Sequence, residues 1–177
     1  MKRELFIEKV KGTSIENANQ VLERTHSILD TLTDERSEKY VAPYGALDTI
    51  ILVEEIGELI AALLSGDRVS VMEEAADTML CIMSMEYIYS IDSLPLLNTQ
   101  HVESVINSRK EDINDLLAAQ QVICKNIRGR ADHNDLLKAH NNLVNIITKY
   151  VPVEGLKRAM AVKLSRIEER LKSSELN

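Results

Sequence analysis

The fold is decided by residues 48–90, DTIILVEEIGELIAALLSGDRVSVMEEAADTMLCIMSMEYIYS. Apolar residues recur here at helical spacing, and Ser65 and Gly66 divide the stretch in two. Glycine at such a point is the usual left-handed end of a helix. The pattern predicts a helical hairpin, with one helix over residues 48–64 and another over residues 70–90 that opens with a capping box, Ser70 to Glu73.

The rest of the chain also favours helices. The 177 residues include only six Gly and three Pro, too few for a turn-rich β fold. With one Phe and no Trp, the core must consist of Leu, Ile, Val, Ala and Met, which is typical of packed helices. A polar loop is predicted over residues 33–45, and a break at Pro95. The remaining predicted helices cover residues 15–32, 99–127, 133–150 and 155–171. Six helices with short connections predict an all-α antiparallel bundle, a single domain over residues 1–177.

The two halves of this domain have related patterns. The predicted hairpin around Gly66 has a counterpart around Gly129, within the second half at residues 99–177. When the two are aligned, Cys124 stands where the first hairpin has Glu58. Either the second half is a degenerate repeat that has lost its carboxylates, or the two hairpins are unrelated.

Charge and composition exclude several classes of protein. The net charge is −7, and a nucleic-acid partner is not expected because phosphate contacts need a basic surface. No apolar run approaches the roughly 18 residues of a membrane span, and the initial MKRELFIEKVKG lacks the apolar core of a secretory signal. Cys81 and Cys124 are too few for a disulfide framework, so that reduced thiols in a cytoplasmic protein are expected.

Acidic residues repeat with one spacing on both helices of the predicted hairpin. Each helix has two adjacent acids and a third three or four positions later: Glu54, Glu55 and Glu58, then Glu73, Glu74 and Asp77. The acids of each helix fall within an arc of about 100°, and the remaining circumference is apolar, which predicts burial. Like charges at this spacing repel, and no string of Lys or Arg at matching positions neutralises them. We therefore expect a divalent cation between the helices.

The ligand types indicate which cation. Carboxylates alone suit hard ions such as Mg²⁺ or Mn²⁺. A di-iron bundle would carry E-x-x-H on two helices, and all four histidines of the chain lie outside the hairpin. Iron and zinc are therefore disfavoured.

At these residues the sequence resembles the MazG-like, all-α nucleoside triphosphate pyrophosphohydrolases. Their hallmark is E-E-x-x-E on one helix and E-x-x-D on the next, supplied here by Glu54, Glu55 and Glu58, then Glu74 and Asp77. Residues 52–59, LVEEIGEL, are close to the family's usual sequence, and the segment from Glu35 to Gly45 is similar to the lead-in of phage and bacterial members. The resemblance covers about residues 30–90.

The resemblance implies an enzyme that hydrolyses an NTP or dNTP to the monophosphate and pyrophosphate. It implies Mg²⁺ as cofactor, with Mn²⁺ as a substitute. Two or more ions would polarise the α-phosphate, activate a water and neutralise the leaving pyrophosphate. Family members usually assemble as dimers or tetramers, so that a homo-oligomer, first of all a dimer, is expected unless helices of the second half take the partner's place.

Site residues follow from the same resemblance. The expected metal ligands are Glu55, Glu58, Glu74 and Asp77. Glu54 is expected to orient or deprotonate the attacking water. Arg36 and Lys39 are the expected substrate-binding residues, together with the basic residues of the last helix, Lys163, Arg166 and Arg170, unless these cations are only solvated surface charges.

Two other interpretations stay open. The acidic hairpin would also suit a non-catalytic helical interaction module that binds a metal ion or a basic partner. A purely structural bundle with an acidic surface is the third alternative. Titration with Mg²⁺ or Mn²⁺, with and without a non-hydrolysable nucleotide, distinguishes the three, because only the enzyme predicts metal binding that nucleotide enhances.

Overall fold

The computed structural model describes residues 3–89 and 109–174, which form eight helices and contain no strand. The helices are α1 (Arg3–Gly12), α2 (Ile15–Leu22), α3 (Thr25–Tyr40), α4 (Ala46–Ser65), α5 (Arg68–Tyr89), α6 (Arg109–Ile127), α7 (His133–Tyr150) and α8 (Val153–Ser174). The predicted all-α helical bundle is confirmed, with eight helices in these ranges where about six were expected. A search of the same ranges finds no helix long and apolar enough to cross a membrane.

The α4–α5 hairpin lies at the centre of the bundle. Helix α6 packs on α4, and α7 packs on α6 and α5, so that the second hairpin covers one side of the first. Helix α8 packs on α5 and also contacts α1, α2 and α3. Fully buried aliphatic side chains fill the core, among them Leu52, Ile56, Met79, Ile82 and Leu143. The central hairpin is buried on two sides, as its apolar circumference predicts.

The prediction of a single helix over residues 15–32 is wrong. The chain forms α2 and α3 instead, with a break at Glu23 and Arg24. The Thr25 hydroxyl donates to the Leu22 carbonyl at 2.6 Å and competes for an oxygen that a continuous helix would use. Apolar spacing alone does not reveal this break, because buried residues continue on both sides of it.

The loop predicted over residues 33–45 is wrong in its first part. Helix α3 continues to Tyr40, and it ends where Val41 adopts a left-handed conformation with φ of 51°. Residues 34–39, DERSEK, are polar, but their Glu, Arg and Lys side chains favour helix. Their polarity indicates an exposed helix face and not the absence of a helix.

Helix α5 begins earlier than the predicted capping box. It starts at Arg68, and Asp67 caps it by accepting hydrogen bonds from the Val69 amide and the Ser70 hydroxyl, each at 3.0 Å. Ser70 therefore lies inside the first turn. The predicted capping box is wrong, because an aspartate three residues earlier already supplies the capping oxygen.

Helix α1 lies where no helix was predicted. It buries Phe6 and Val10, one turn apart, and packs on α8. Two buried apolar positions among charged residues give only a weak periodic signal, which explains why the pattern did not predict this helix.

Other predicted boundaries are confirmed. Gly66 ends α4 with φ of 72°, Gly129 follows α6 with φ of 61°, and α7 covers His133–Tyr150 as predicted. The predicted break at Pro95 and residues 99–108 of the fourth predicted helix lie outside the described residues.

Candidate metal centre

Helices α4 and α5 bring three of the predicted metal ligands together. Carboxylate oxygens of Glu55, Glu58 and Glu74 all lie within 4.8 Å of one another, and we call these residues the carboxylate trio. The buried Thr78 hydroxyl links the backbones of α4 and α5 beside the trio. It lies 2.8 Å from the Glu74 carbonyl oxygen and 3.3 Å from the Glu55 carbonyl oxygen. The identical spacing of acids on the two helices thus produces one shared cluster.

The trio has an unusual electrostatic environment. Burial, followed by the charges of Asp77, Glu58 and Glu74, raises the pKa of Glu55 to about 8. Burial, followed by Asp77 and Glu58, raises the pKa of Glu74 to about 7. Both acids are therefore hard to ionise at neutral pH unless a cation joins them.

Glu55 also has an unsatisfied acceptor. Its Oε2 atom is buried and has no hydrogen-bond partner among the residues that the structure describes. A buried acceptor without a partner costs about 1–3 kcal/mol. No Lys or Arg in the described ranges forms an ion pair with the trio. The arrangement is compatible with a bound cation, whose presence stays a prediction.

Asp77, the fourth predicted ligand, already has a positive partner. Lys163 of α8 places its Nζ 2.5 Å from Asp77 Oδ2 and 3.3 Å from Glu73 Oε1. Burial lowers the pKa of Lys163, but Asp77 and then Glu73 outweigh burial, so that its pKa is raised. Asp77 does not join the trio in the 4.8 Å cluster. Its role as a metal ligand stays a prediction.

Sequence reasoning assigned Lys163 to substrate phosphates and did not foresee this ion pair. The pairing joins residues 86 positions apart, beyond the reach of local spacing. One signal was present, however. Leu156 and Ile167 recur at helical spacing in the last predicted helix, and Lys163 lies two turns after Leu156 on the same face. A charged residue on a buried stripe indicates a buried partner.

Glu54 lies outside the trio. It is an exposed residue on α4, next to the half-buried Glu55. Its predicted role toward the attacking water is not tested by this geometry and stays a prediction.

A cleft of about 430 Å³ lies between α3, α4 and the end of α8. Its charged lining residues are the cations Arg36, Lys39 and Arg170, three of the basic residues assigned above to phosphates, and the acid Glu35. Its apolar lining comes from Leu32, Tyr40, Leu47, Ile50 and Ile51. Ile51 precedes Glu55 by one turn of α4, about 6 Å along the helix axis, so that the cleft adjoins the trio.

Arg36 links the cleft to the hairpin. Its guanidinium donates to Oδ1 of the buried Asp48 at 2.5 Å, which fixes its position. The Cys81 thiol is close to both sites: burial and then Glu55 raise its pKa, and Arg36 lowers it. Arg36 of the cleft and Glu55 of the trio thus both act on the Cys81 thiol.

Comparisons with family models, with curated proteins and with solved structures found no match for this chain.

Proposed function

We propose that the chain is a Mg²⁺-dependent hydrolase that converts a nucleoside triphosphate, NTP or dNTP, to the nucleoside monophosphate and pyrophosphate. The observation that carries this proposal is the carboxylate trio, whose oxygens converge within 4.8 Å while no Lys or Arg of the described ranges pairs with them. The neighbouring basic cleft supports an anionic substrate.

The donor set fits a hard divalent cation. All its ligand atoms are carboxylate oxygens, which Mg²⁺ and Mn²⁺ prefer, and the buried Glu55 Oε2 lacks any other partner in the described ranges. Glu55, Glu58 and Glu74 would hold the ion, and Asp77 is the predicted fourth ligand. When bound, Mg²⁺ supplies a Lewis acid that polarises a phosphoryl oxygen and lowers the pKa of water.

In the proposed reaction a water oxygen forms a bond to the α-phosphorus. The bond from that phosphorus to the α–β bridging oxygen breaks, and pyrophosphate leaves with the electron pair. Glu54, exposed beside the trio, orients the water and accepts its proton. The chain itself thus supplies the positioning of the water and the destination of the proton.

The cleft would hold the rest of the substrate. Arg36 and Lys39 on α3 and Arg170 on α8 offer three cations to phosphate oxygens, and the apolar lining offers a surface for the base or the sugar. Because Ile51 of the cleft lining lies one turn of α4 before Glu55, we place the rest of the same nucleotide in this cleft.

The test is pyrophosphate release from a panel of canonical, deoxy and modified triphosphates in the presence of Mg²⁺. We expect turnover of at least one of them, and we expect Glu55→Gln to reduce it by at least about 100-fold, since a metal ligand is lost. Glu16→Gln, at an exposed position of α2, is the matched control. Wild-type turnover in Glu55→Gln, or no turnover together with metal binding that nucleotide does not change, contradicts the enzyme; the second result supports the interaction module.

The proposal includes a cytoplasmic homodimer. Both cysteines are free thiols, and large apolar side chains are exposed, among them Tyr40, Val41 and Leu64. We assign these side chains to the dimer interface. Sedimentation of the purified chain gives the oligomeric state, and a monomer at micromolar concentration contradicts the dimer.

A further inference from the structure

Five acids meet at the hairpin, and they fall into two groups. The carboxylate trio has no ion pair with the protein's own cations in the described ranges, whereas Glu73 and Asp77 share the ammonium group of Lys163. A two-metal site would use both groups as ligands, because paired ions lie about 3.5–4 Å apart and draw on many carboxylates. Here one of the two groups already holds a positive charge.

Lys163 is held firmly in its place. Its side chain is only 12% exposed, and its Nζ lies 5.4 Å from the centre of the Phe6 ring of α1, within the range of a cation–π contact. Two carboxylates and one aromatic ring therefore surround the ammonium group. Such a charge is a built part of the site and not a mobile surface lysine.

Lys163 also acts on the trio. Its charge opposes the effects that raise the pKa of Glu55 and Glu74, which places both acids within its field. An ammonium group has three N–H donors, and Asp77 and Glu73 accept two hydrogen bonds from Lys163. The third N–H has no acceptor among the residues that the structure describes.

We propose that Lys163 takes the place of a second divalent cation, so that the trio binds one metal ion and the lysine supplies the other positive charge. This role rests on the metal centre of the proposed function and deepens it. Asp77 is then the residue that positions Lys163, in competition with its predicted role as a fourth ligand. The site is specific for one ion per chain where the family resemblance implies two or more.

The experiment counts Mn²⁺ ions bound to the full chain, by calorimetric titration and by electron paramagnetic resonance. We expect one ion per wild-type chain, with the spectrum of an isolated Mn²⁺. In Lys163→Met, Asp77 and Glu73 become available as ligands, and we expect a second ion and the spectrum of a coupled pair. Lys172→Met is the control, because Lys172 lies on the same helix in an exposed pair with Glu168, and it should bind one ion.

Each outcome decides a separate question. Two ions in the wild type, or one ion in Lys163→Met, overturns the role of Lys163 and leaves the metal centre intact. No ion in the wild type overturns the metal centre itself. If Lys163→Met does not fold, Asp77→Asn decides: one bound Mn²⁺ supports the proposal, and loss of binding identifies Asp77 as a ligand and overturns it.

Discussion

Asp112 of the α6–α7 hairpin and Glu55 of the α4–α5 hairpin are two acids with opposite pairing. In the α6–α7 hairpin, Asp112 is 2% exposed and accepts hydrogen bonds from Lys149 Nζ and the Tyr150 hydroxyl, each at 2.6 Å. In the α4–α5 hairpin, Glu55 has a buried oxygen without a partner in the described ranges and lies beside two other carboxylates.

The contrast is between a paired acid and an acid whose buried oxygen has no partner in the described ranges. A buried carboxylate that is fully paired stabilises the fold relative to the same site with one partner removed. A cluster of unpaired carboxylates raises the free energy of the folded state until a ligand joins it. Removal of Asp112 and removal of Glu55 should therefore have opposite effects on the free energy of unfolding.

The largest effect is expected at Asp112. Asp112→Ala should lower the free energy of unfolding by about 2–4 kcal/mol, because it removes the acceptor of two partly buried hydrogen bonds, one of them charged. Tyr150→Phe removes only one hydroxyl and should cost about 1 kcal/mol. Urea unfolding measures both. Equal urea midpoints for Asp112→Ala and wild type would show that Asp112 does not stabilise the fold.

The next effect is stabilisation by metal. At one hundred times its Kd, Mn²⁺ should stabilise the chain by about 2.7 kcal/mol, which corresponds to a rise in Tm of about 5–10 °C for a chain of this size. At a fixed Mn²⁺ concentration the rise should be larger at pH 8 than at pH 6, because protons on Glu55 and Glu74, with pKa values of about 8 and 7, compete with the metal and raise its Kd. Differential scanning fluorimetry measures it.

Glu58→Gln is the decisive variant for this shift, since it removes one member of the trio without touching the Lys163 pair. It should abolish most of the rise in Tm, while Glu16→Gln keeps it. An undiminished shift in Glu58→Gln means that Mn²⁺ binds somewhere else.

The structural features that depend on the local spacing of residues were predicted correctly from the sequence. The central hairpin, its end at Gly66 and the meeting of Glu55, Glu58 and Glu74 all follow from helical periodicity over about thirty residues. The partner of Asp77 did not follow, because Lys163 comes from a distant helix whose packing no local pattern fixes.

The wrong helix boundaries have the same physical origin. The break before α3 and the start of α5 depend on single hydrogen bonds, from the Thr25 hydroxyl and to the Asp67 carboxylate, that compete with the regular pattern. Local side-chain bonds of this kind shift helix ends without changing apolar periodicity.

A smaller effect is expected from Glu55→Gln in EDTA. The raised pKa of Glu55 means that the folded state binds more protons than the unfolded state between about pH 4.5 and 8, so that stability falls as the pH rises through this range. Glutamine carries no proton to lose, so the variant does not lose stability in this way. Glu55→Gln should therefore stabilise the metal-free protein at pH 8.5 by about 1–2 kcal/mol, a figure reduced for solvent screening.

Urea unfolding at pH 5.5 and pH 8.5 measures this effect. The difference between wild type and Glu55→Gln should be small at pH 5.5, where the wild-type acid is protonated in the folded state. A variant that is less stable than wild type at both pH values would show that Glu55 is a structural acid like Asp112, and the comparison would fail.

The smallest effect on stability is expected at the contact between the two hairpins, where α6 packs on α4. Gly57 lies on α4 between Glu55 and Glu58, and a Cβ there would meet only Gln120 Nε2 of α6, at an ordinary 3.8 Å. Gln120 itself donates to the Val53 carbonyl at 2.8 Å and so holds α6 on α4. Because alanine favours a helix over glycine, Gly57→Ala should stabilise the protein by about 0.5–1 kcal/mol and leave the Mn²⁺ count unchanged.

Gly45→Ala is the matched control for Gly57→Ala. Gly45 has φ of 76°, and its added Cβ would lie 2.6 Å from Ile88 Cγ2, so that this variant should be less stable than wild type. If Gly57→Ala also loses stability, the hairpins meet at Gly57 more tightly than the contact with Gln120 indicates. If it is more stable but binds less Mn²⁺, the backbone at Gly57 must adjust for Glu55 and Glu58 to bind metal, and the functional hairpin then differs from the structural one in flexibility as well as in charge.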